Sequence, residues 1–314
     1  LAAVTLCVLT GCGGSGGPAV YRSALYAPGG ASVRFASNVP TTDLRVMSAN
    51  VRRDIALDLH NAWPFRKELL VETIRRFDPD VLGTQEALAG QTAYLRQHLS
   101  GYDYVGVGRS DGEADEDAGG EMCGVFFKRD RFTQLGSGHF WLSETPAEAG
   151  SAAWGAWFPR MVSWVKLRTR GVDQRVVFVF NTHFSAMSGK ARTQSAELLR
   201  KAIAQIAGDA PVIVTGDFNA DEDSKPYALL TGMDSPRPLI DTYREARPTP
   251  GRDEKTYHKF RGGDRGQRID WILACGSFRT VTAGIDRTHH GISYPSDHYP
   301  VVVDLAYTAA TNMR

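Results

Sequence analysis

Polar residues that can bind metal ions or phosphate stand at the end of nearly every strongly apolar run in this sequence. A sheet built only for stability would not need them there. If the runs form neighbouring strands, their ends meet at one edge of a sheet and the polar groups come together. The residues concerned are Asn50, Glu86, Asn181-Thr182-His183, Gly216-Asp217-Phe218-Asn219, Asp270 and Ser296-Asp297-His298.

The oxygen atoms in this set suit a hard divalent cation. Glu86, Asp217 and Asp297 offer carboxylates, and Asn50 and Asn219 offer amide carbonyls. Mg²⁺, Mn²⁺ and Ca²⁺ prefer such ligands, whereas Zn²⁺ would require more histidine and cysteine. A cation held in this way polarises phosphoryl oxygens and lowers the pKa of bound water. The pattern therefore predicts metal-dependent cleavage of a phosphoester.

Two histidines, His183 and His298, add hydrogen-bond donors for the negative charge that develops on a reacting phosphoryl group. Each needs a carboxylate partner that fixes its tautomer and keeps it protonated. We therefore expect both imidazoles to lie beside acidic side chains and to be charged.

Six motifs, in order along the chain, resemble those of the endonuclease/exonuclease/phosphatase superfamily. Each motif alone would be weak, but six in this order over nearly the whole body are a strong signal. The resemblance implies an α/β fold, a four-layer α/β/β/α sandwich of two mostly antiparallel sheets flanked by helices, and a divalent-metal phosphoesterase. The motifs are Ser48-Ala49-Asn50-Val51-Arg52, Gly83-Thr84-Gln85-Glu86, Asn181-Thr182-His183, Gly216-Asp217-Phe218-Asn219, Arg268-Ile269-Asp270-Trp271-Ile272 and Ser296-Asp297-His298-Tyr299-Pro300.

The resemblance also implies how the metal and the water are held. It makes Glu86 the principal metal ligand, with Asn50 and Asp297 in that role directly or through water. Asp217 and Asn219 resemble the pair that positions or deprotonates the attacking water. The expected cation is Mg²⁺ or Mn²⁺, with Ca²⁺ as a further option.

The remaining roles concern the phosphate. His298 is similar to the histidine that contacts the scissile phosphate, and Asp270 to the carboxylate that orients it. His183 resembles the second histidine of the family, and Glu121 stands where deoxyribonuclease-like members place the carboxylate partner of that histidine. Arg160 matches a phosphate-contacting arginine.

Structural interpretations stay open beside these roles. Asn50 could cap a turn, because Asn is common there. Asp270 lies between apolar residues, so its burial demands a partner, which could be Arg268 in a structural salt bridge. Glu121 and Arg160 could form structural ion pairs. The acidic segment between Arg109 and Gly120 is typical of a solvated loop, or it could form the rim of the site.

Apolar periodicity supplies the elements that would carry these residues. Hairpin-like spacing in the middle and at the end favours mostly antiparallel pairing. The predicted helices span about 65–77, 91–99 and 190–207. The predicted strands span 44–48, 80–86, 102–107, 125–128, 163–167, 176–181, 212–216, 269–273 and 301–305.

The amino-terminal segment resembles the end of an export signal. Leu1 to Leu9 form an apolar run, and small residues precede Cys12, as in a bacterial lipoprotein processing site. We expect a signal peptide over 1–11, a tether and leader over 12–42, one catalytic domain over 43–308 and a tail over 309–314. The location is then outside the cytoplasm, either anchored at the membrane through lipidated Cys12 or secreted; a plain secretory peptide is the alternative.

Composition limits the partners. Lys plus Arg number 36 and Asp plus Glu 35, so no strong basic field favours tight binding of long nucleic acid. Cys123 and Cys275 are far apart and lack a CxxC pattern, which indicates buried apolar residues rather than a metal site, although an oxidising compartment would permit a bridge.

The leading hypothesis is a monomeric enzyme that hydrolyses a phosphomonoester or phosphodiester of a small molecule, a nucleic acid or a lipid headgroup. Within it, a phosphoinositide- or sphingomyelin-type lipid phosphoesterase would need an exposed apolar hairpin or a Lys/Arg cluster. A catalytically inactive binding protein of the same fold is a second class. A glycosidase, which works with two carboxylates, would not need the histidines and asparagines.

Overall fold

The computed structural model describes residues 43–235 and 237–308, which form twelve strands in two sheets of six. The expected signal peptide, tether and tail lie outside these residues, so the predicted domain bounds stay predictions. The strands are β1 Leu44–Asn50, β2 Val81–Ala87, β3 Tyr102–Val105, β4 Met122–Lys128, β5 Phe132–Trp141, β6 Met161–Thr169, β7 Val176–His183, β8 Val212–Asp217, β9 Ile240–Asp241, β10 Asp270–Cys275, β11 Phe278–Ile285 and β12 Val301–Tyr307.

Helices connect and cover the strands. The α-helices are α1 Lys67–Phe77, α2 Ala89–His98, α3 Gly189–Ala207, α4 Lys225–Thr231 and α5 Thr242–Ala246, with short 3-10 helices at Ala56–Asn61 and Trp63–Phe65. Among the described residues, no helix has both the length and the apolar composition that a membrane crossing requires.

The two sheets have related strand orders. The first sheet runs β11-β12-β1-β2-β4-β3 and the second runs β5-β6-β7-β8-β10-β9. Each has a single parallel pair, β1 with β2 and β7 with β8, and its other neighbours are antiparallel. The expectation of mostly antiparallel sheets is confirmed.

Apolar side chains pack the elements into four layers. Residues on successive positions of β1 face opposite sides, so Val46 packs between the sheets while Met47 packs under the helices. Val125, Val179 and Ile272 belong to the same inter-sheet cluster as Val46. On the outer face of the first sheet lie Leu70, Ile74 and Leu95 of α1 and α2, and on the outer face of the second lie Leu199 and Ile203 of α3. This is the four-layer sandwich that the sequence predicted.

The inter-sheet layer becomes polar near one end. The amide of Gln85 donates to Asn181 Oδ1 at 2.7 Å, and Asn181 Nδ2 donates to the backbone carbonyls of Thr84 and Gly124 at 2.7 and 2.8 Å. A Cβ at Gly83 would collide with Thr215 Oγ1, so glycine is required for the sheets to approach this closely. These buried hydrogen bonds join the two sheets and fix the spacing between them.

Several elements differ from the sequence prediction. The first helix begins at Lys67 rather than Phe65, because Pro64 occupies a separate 3-10 turn, and the Phe65 side chain is exposed instead of packing on the apolar face of the helix. β5, β9 and β11 and the helices α4 and α5 were not predicted. Cys123 and Cys275 are buried, as their isolation in sequence indicated, and they form no disulfide bridge.

Candidate active site

Strand polarity brings one group of functional residues to a common edge of the second sheet. β7 and β8 are parallel, and β10 runs antiparallel to β8, so two strand ends and one strand start lie side by side. In this register His183 is opposite Asp217, and Asp217 is opposite Asp270. Three side chains from distant parts of the sequence therefore form one row.

A second group of functional residues lies at the strand ends of the first sheet. Asn50 is the last residue of β1, and Asp297 and His298 precede β12, which is antiparallel to β1. Glu86 lies in β2 within a register shift between Thr84 and Ala87. Such bulges re-aim side chains and are common beside active sites. The bulge turns the strand end so that Glu86 faces the second sheet.

Backbone conformation at the site departs from the usual. Arg52, Glu86 and Asn219 have φ of 54°, 63° and 48°, in the left-handed region that non-glycine residues seldom occupy. Asn tolerates this region, but for Arg and Glu it is unfavourable, and such strain clusters at functional sites.

All ten predicted site residues meet at one cleft of about 270 Å³. Asn50 and Asp270 lie behind its wall and bond to residues that form it. The lining residues are Arg52, Arg53, Glu86, Glu121, Phe158, Arg160, His183, Ala186, Asp217, Asn219, Tyr257, Ile269, Asp297 and His298.

Asp217 occupies the centre of the cleft. Its Oδ2 accepts from Asn50 Nδ2 at 2.9 Å and lies 3.5 Å from His183 Nε2 and 3.8 Å from His298 Nε2. Its Oδ1 accepts the backbone N–H of Asn219 at 2.9 Å. Burial and then the Asp270 carboxylate raise the pKa of Asp217 to about 7. A carboxylate with such a pKa can take up a proton from water near neutral pH.

His298 forms a close pair with Asp270. His298 Nδ1 lies 2.9 Å from Asp270 Oδ2, and both side chains are buried. Burial alone would lower the pKa of His298, but the carboxylates of Asp270 and Asp217 outweigh it and hold that pKa well above its ordinary value. His298 is therefore a fixed cation. The alternative of an Asp270–Arg268 salt bridge is wrong, since Arg268 binds Asp241 and Glu222 instead.

His183 is in a different state. Its Nδ1 lies 3.8 Å from Glu121 Oε2, beyond hydrogen-bond range, and its Nε2 lies 3.0 Å from Asn219 Nδ2. Burial, followed by the guanidinium groups of Arg160 and Arg109, lowers the pKa of His183 well below its ordinary value. The expectation that both histidines are charged is thus wrong for His183, which is neutral and accepts a hydrogen bond from Asn219.

The donor set fits a hard divalent cation on the Glu86 side. Burial and the nearby Glu86 carboxylate raise the pKa of Asp297. The pKa of Glu86 is lowered despite its burial, because Asn50 donates to it and His298 is charged, so Glu86 carries a negative charge. Donor atoms of Glu86, His183 and Asp217 lie within 4.8 Å of one another. Mg²⁺ is commonly held by one or two carboxylates, with water and substrate phosphate completing its shell. Glu86 and Asp297 would hold it here.

Asn50 is placed as a donor. Its Nδ2 bonds to Glu86 at 3.0 Å and to Asp217 at 2.9 Å, while its Oδ1 accepts the backbone N–H of Arg52 at 2.9 Å. In this arrangement Asn50 orients the two carboxylates. Its predicted role as a ligand would require that the amide group turn over.

Sequence reasoning missed two arginines that line the cleft, Arg52 and Arg53, and a third, Arg109, that binds the cleft residue Glu121. Arg52 forms a bidentate pair with Asp58 at 2.8 and 2.9 Å and lies 3.8 Å from Asp297. Arg53 and Arg109 both bond to Glu121. Arg52 was part of a quoted motif, but Arg109 reaches Glu121 only because a loop folds back, which the sequence does not signal.

The surroundings of the cleft settle the open question of the acidic loop. In the acidic loop, Asp111 bonds to the loop's own backbone at Gly119 and Glu113, and the exposed acidic side chains do not line the cleft. Of the aromatic residues nearby, Phe158 and Tyr257 line the cleft, and Tyr257 lies 4.8 Å from the His298 ring.

Comparison with known proteins decides the family. A model of the endonuclease/exonuclease/phosphatase family matches residues 47–298, which are most of the chain and include five motifs and the sixth as far as His298. The chain belongs to this family. Its fold and the class of enzyme that the motifs predicted, a phosphoester hydrolase, are therefore confirmed.

Individual proteins share only a limited part of their sequence with this chain. Nocturnin of Drosophila melanogaster is 28% identical over 181 residues, which cover 55% of this chain and 26% of that protein. The chain thus matches about a quarter of the length of that relative.

Two solved structures are similar over nearly their whole length. An endonuclease/exonuclease/phosphatase from Bacteroides vulgatus is 32% identical with a TM-score of 0.77, covering 85% of this chain and 100% of that chain. A mannosyl-6-phosphatase of Bacteroides thetaiotaomicron is 29% identical with a TM-score of 0.73, covering 84% of this chain and 100% of that one.

Proposed function

We propose that the protein is a divalent-metal-dependent hydrolase of small phosphoesters that acts outside the cytoplasm. One observation carries the proposal: Asp217, a carboxylate able to accept a proton near pH 7, lies within 4 Å of a cationic histidine, a neutral histidine and the Asn50 amide that also binds Glu86. Such a centre has a base, a charged donor and a carboxylate, Glu86, that could bind a metal, which in-line attack of water on phosphorus requires.

The chain's own residues divide the work. Asp217 accepts the proton of the attacking water. The backbone N–H of Asn219 donates to Asp217 Oδ1 and holds the carboxylate in place. His298 donates from Nε2 to a phosphoryl oxygen, because Nδ1 is held by Asp270. A cation on Glu86 and Asp297 would supply Lewis-acid polarisation of the phosphate. Preorganised donors of this kind stabilise the charge of the transition state.

Size and charge favour a small substrate. The cleft of about 270 Å³ lies at the lower end of ligand pockets, which suits a phosphate with a modest leaving group. The near balance of acidic and basic residues offers no broad basic groove for long nucleic acid. The similarity to a mannosyl-6-phosphatase is consistent with a phosphorylated small molecule.

A substrate panel tests the proposal. Metal-stripped protein is assayed with nucleic acids, sugar phosphates, phosphoinositides, sphingomyelin and a p-nitrophenyl phosphoester, in EDTA and after addition of Mg²⁺, Mn²⁺ or Ca²⁺. We expect turnover only with a divalent cation, and nearly none in Glu86→Ala or His298→Ala. Full activity in EDTA, or in His298→Ala, would contradict the mechanism, and a folded protein inert on every substrate would favour the inactive binding protein.

Location outside the cytoplasm rests on the amino-terminal sequence alone. The apolar run before Cys12 and the Gly/Ser stretch after it match a lipoprotein processing site followed by a tether. Mass spectrometry of the mature protein from cell envelopes should find an acylated Cys12 at the amino terminus. An unmodified Cys12 in that fraction would end the anchoring proposal.

A lipid headgroup is a second candidate, favoured by exposed apolar side chains. Leu57 and Leu59 are 86% and 70% exposed, and Asp58 between them holds Arg52 in the cleft. A bilayer surface would cover such side chains. Leu57→Ser combined with Leu59→Asn should then reduce hydrolysis of lipid vesicles but not of a soluble p-nitrophenyl phosphoester. Equal rates on vesicles for the variant and the parent would remove this candidate.

A further inference from the structure

Three guanidinium groups converge on one carboxylate at the edge of the cleft. Glu121 Oε2 accepts from Arg109 at 2.5 Å and lies 4.0 Å from Arg160, and Glu121 Oε1 accepts from Arg53 at 3.4 Å. The neutral His183 adds no charge on this side. The cluster therefore holds more positive charge than Glu121 can neutralise.

The excess charge is directed toward the cleft. Arg160 Nη1 is buried, and no described residue forms a hydrogen bond with it. A buried donor without a partner is costly, so such groups usually await a ligand or water. Arg52 is different, because Asp58 binds its Nε and Nη2 atoms and its Nη1 faces the Asp297 carboxylate at 3.8 Å. The buried donor without a partner at this cleft, Arg160 Nη1, thus belongs to the cluster formed by Arg53, Arg109 and Arg160.

The cluster adjoins the expected position of the phosphate. The backbone N–H of Arg53 donates to Glu86 at 3.3 Å, which places Arg53 beside the proposed metal ligand. Arg109 is buried and packs on the Phe158 ring at 5.1 Å, so it is fixed. The Arg53 side chain is 42% exposed and bound only by its longer contact to Glu121. Arg53 is therefore the member free to turn toward a substrate.

We infer that Arg53, supported by Arg109 and Arg160, selects phosphomonoesters over phosphodiesters. The inference rests on the proposed function and names its substrate class. A monoester carries about two negative charges near pH 7 and presents three terminal oxygens, whereas a diester carries one charge and presents two. His298 and a cation on Glu86 and Asp297 would bind the two phosphoryl oxygens that monoesters and diesters have in common. The surplus guanidinium charge matches the additional oxygen and charge of the monoester.

A matched substrate pair tests the inference. p-Nitrophenyl phosphate and methyl p-nitrophenyl phosphate have the same leaving group and differ only by one methyl group, which removes one charge and one terminal oxygen. We expect Arg53→Met to lower kcat/KM for the monoester by about tenfold or more, since it removes a charge-assisted hydrogen bond. The value for the diester should change by less than about threefold.

Two variants control for structure. Arg53→Lys keeps the charge and should restore part of the monoester activity. Arg129→Met removes an arginine of similar exposure that binds Asp103 away from the cleft, and it should leave both substrates unaffected. Inhibition by inorganic phosphate, a dianion at high pH, should weaken in Arg53→Met and stay unchanged in Arg129→Met.

The outcomes separate the inference from the proposed function. Equal losses on the monoester and the diester in Arg53→Met, or a larger loss on the diester, would overturn the selectivity assigned to Arg53. If the parent protein hydrolyses neither substrate with any divalent cation, the proposed function itself fails. Retained turnover with an unchanged substrate ratio contradicts the inference alone.

Discussion

The two histidine–carboxylate pairs of the cleft look alike in sequence but differ in structure. Both span the two sheets: His298 precedes β12 and binds Asp270 of β10, while His183 of β7 faces Glu121, which precedes β4. The first pair is in contact at 2.9 Å, and the second is separated by 3.8 Å. Glu121 instead bonds to arginines.

This difference shows that a histidine next to a carboxylate need not be charged. Among the described residues, Asp270 forms a salt bridge with His298 alone, so its negative charge acts mainly on that imidazole. The charge of Glu121 is more than neutralised by guanidinium groups that also repel a proton from His183. The His298–Asp270 pair supplies a charged hydrogen-bond donor. In the other pair, neutral His183 accepts a hydrogen bond from Asn219, and Glu121 holds arginines that can bind an anion at the edge of the cleft.

Removal of the close pair should have the largest effect. Asp270→Asn takes away the charge that keeps His298 protonated, and we expect kcat to fall by about 10²–10³-fold, the typical cost of one preorganised donor to the transition state. Steady-state assays at saturating metal measure the loss. The matched control is Asp304→Asn. Asp304 lies in β12 and forms a surface salt bridge with Arg45 of β1, so this variant should retain activity. Activity within tenfold of the parent would contradict the role of the close pair.

Disruption of the loose pair should cost less. His183→Gln keeps an oxygen that can accept from Asn219, so we expect about a tenfold fall in kcat, in line with one weakened hydrogen bond. The same assays measure it beside Asp270→Asn. A loss as large as that of Asp270→Asn would mean that the two pairs act alike and that the comparison fails.

A change between the sheets should affect both pairs at once. Gly83→Ala forces Thr215 and Asn181 away from β2, and such overpacking typically costs about 1–3 kcal/mol of unfolding free energy. Both pairs cross the same gap, so we expect lower thermal stability together with a modest fall in activity on every substrate. Gly90→Ala, at a position with open space around its Cβ, is the control. Unchanged stability in Gly83→Ala would show that the close approach is dispensable.

The smallest expected effect is a difference of one bound proton between the His298 and His183 rings at neutral pH. Because the pKa of His298 is raised, its imidazole keeps its proton above pH 6.5 and loses it only at distinctly higher pH. Because the pKa of His183 is lowered, this ring is already neutral at pH 6.5 and gains a proton only on acidification. Nitrogen NMR of the metal-stripped protein at pH 7 should show imidazolium for His298 and neutral imidazole for His183, with assignments from the His183→Gln spectrum. Two rings of the same charge would refute the comparison.

Much of the fold could be predicted because the central strands are continuous apolar runs. β8 reads Val-Ile-Val-Thr-Gly-Asp, and its polar end falls at the functional edge. β5 was missed because Gly136 and Gly138 interrupt it and half-exposed polar residues alternate along it. Its existence depends on pairing with β6, a long-range contact that local composition does not report.

The sequence predicted which residues meet at the cleft, but it did not predict the protonation state of His183. Residue types and order identified the ten residues that meet at the cleft. The lowered pKa of His183 depends on its burial and on the guanidinium groups of Arg160 and Arg109, and neither arginine lies in one of the six motifs. Arginine is also common on surfaces, so its functional placement becomes visible only when the loops are folded.

The left-handed backbone at Arg52 and Glu86 has a consequence for the history of such a protein. At both positions glycine would fit without conformational cost, whereas the present side chains are held there against their preference by the rest of the fold. Drift under selection for stability alone would thus favour replacing these residues and erase the chemistry first. Stability alone therefore does not account for Arg52 and Glu86 at these positions, whereas their contacts in the cleft do.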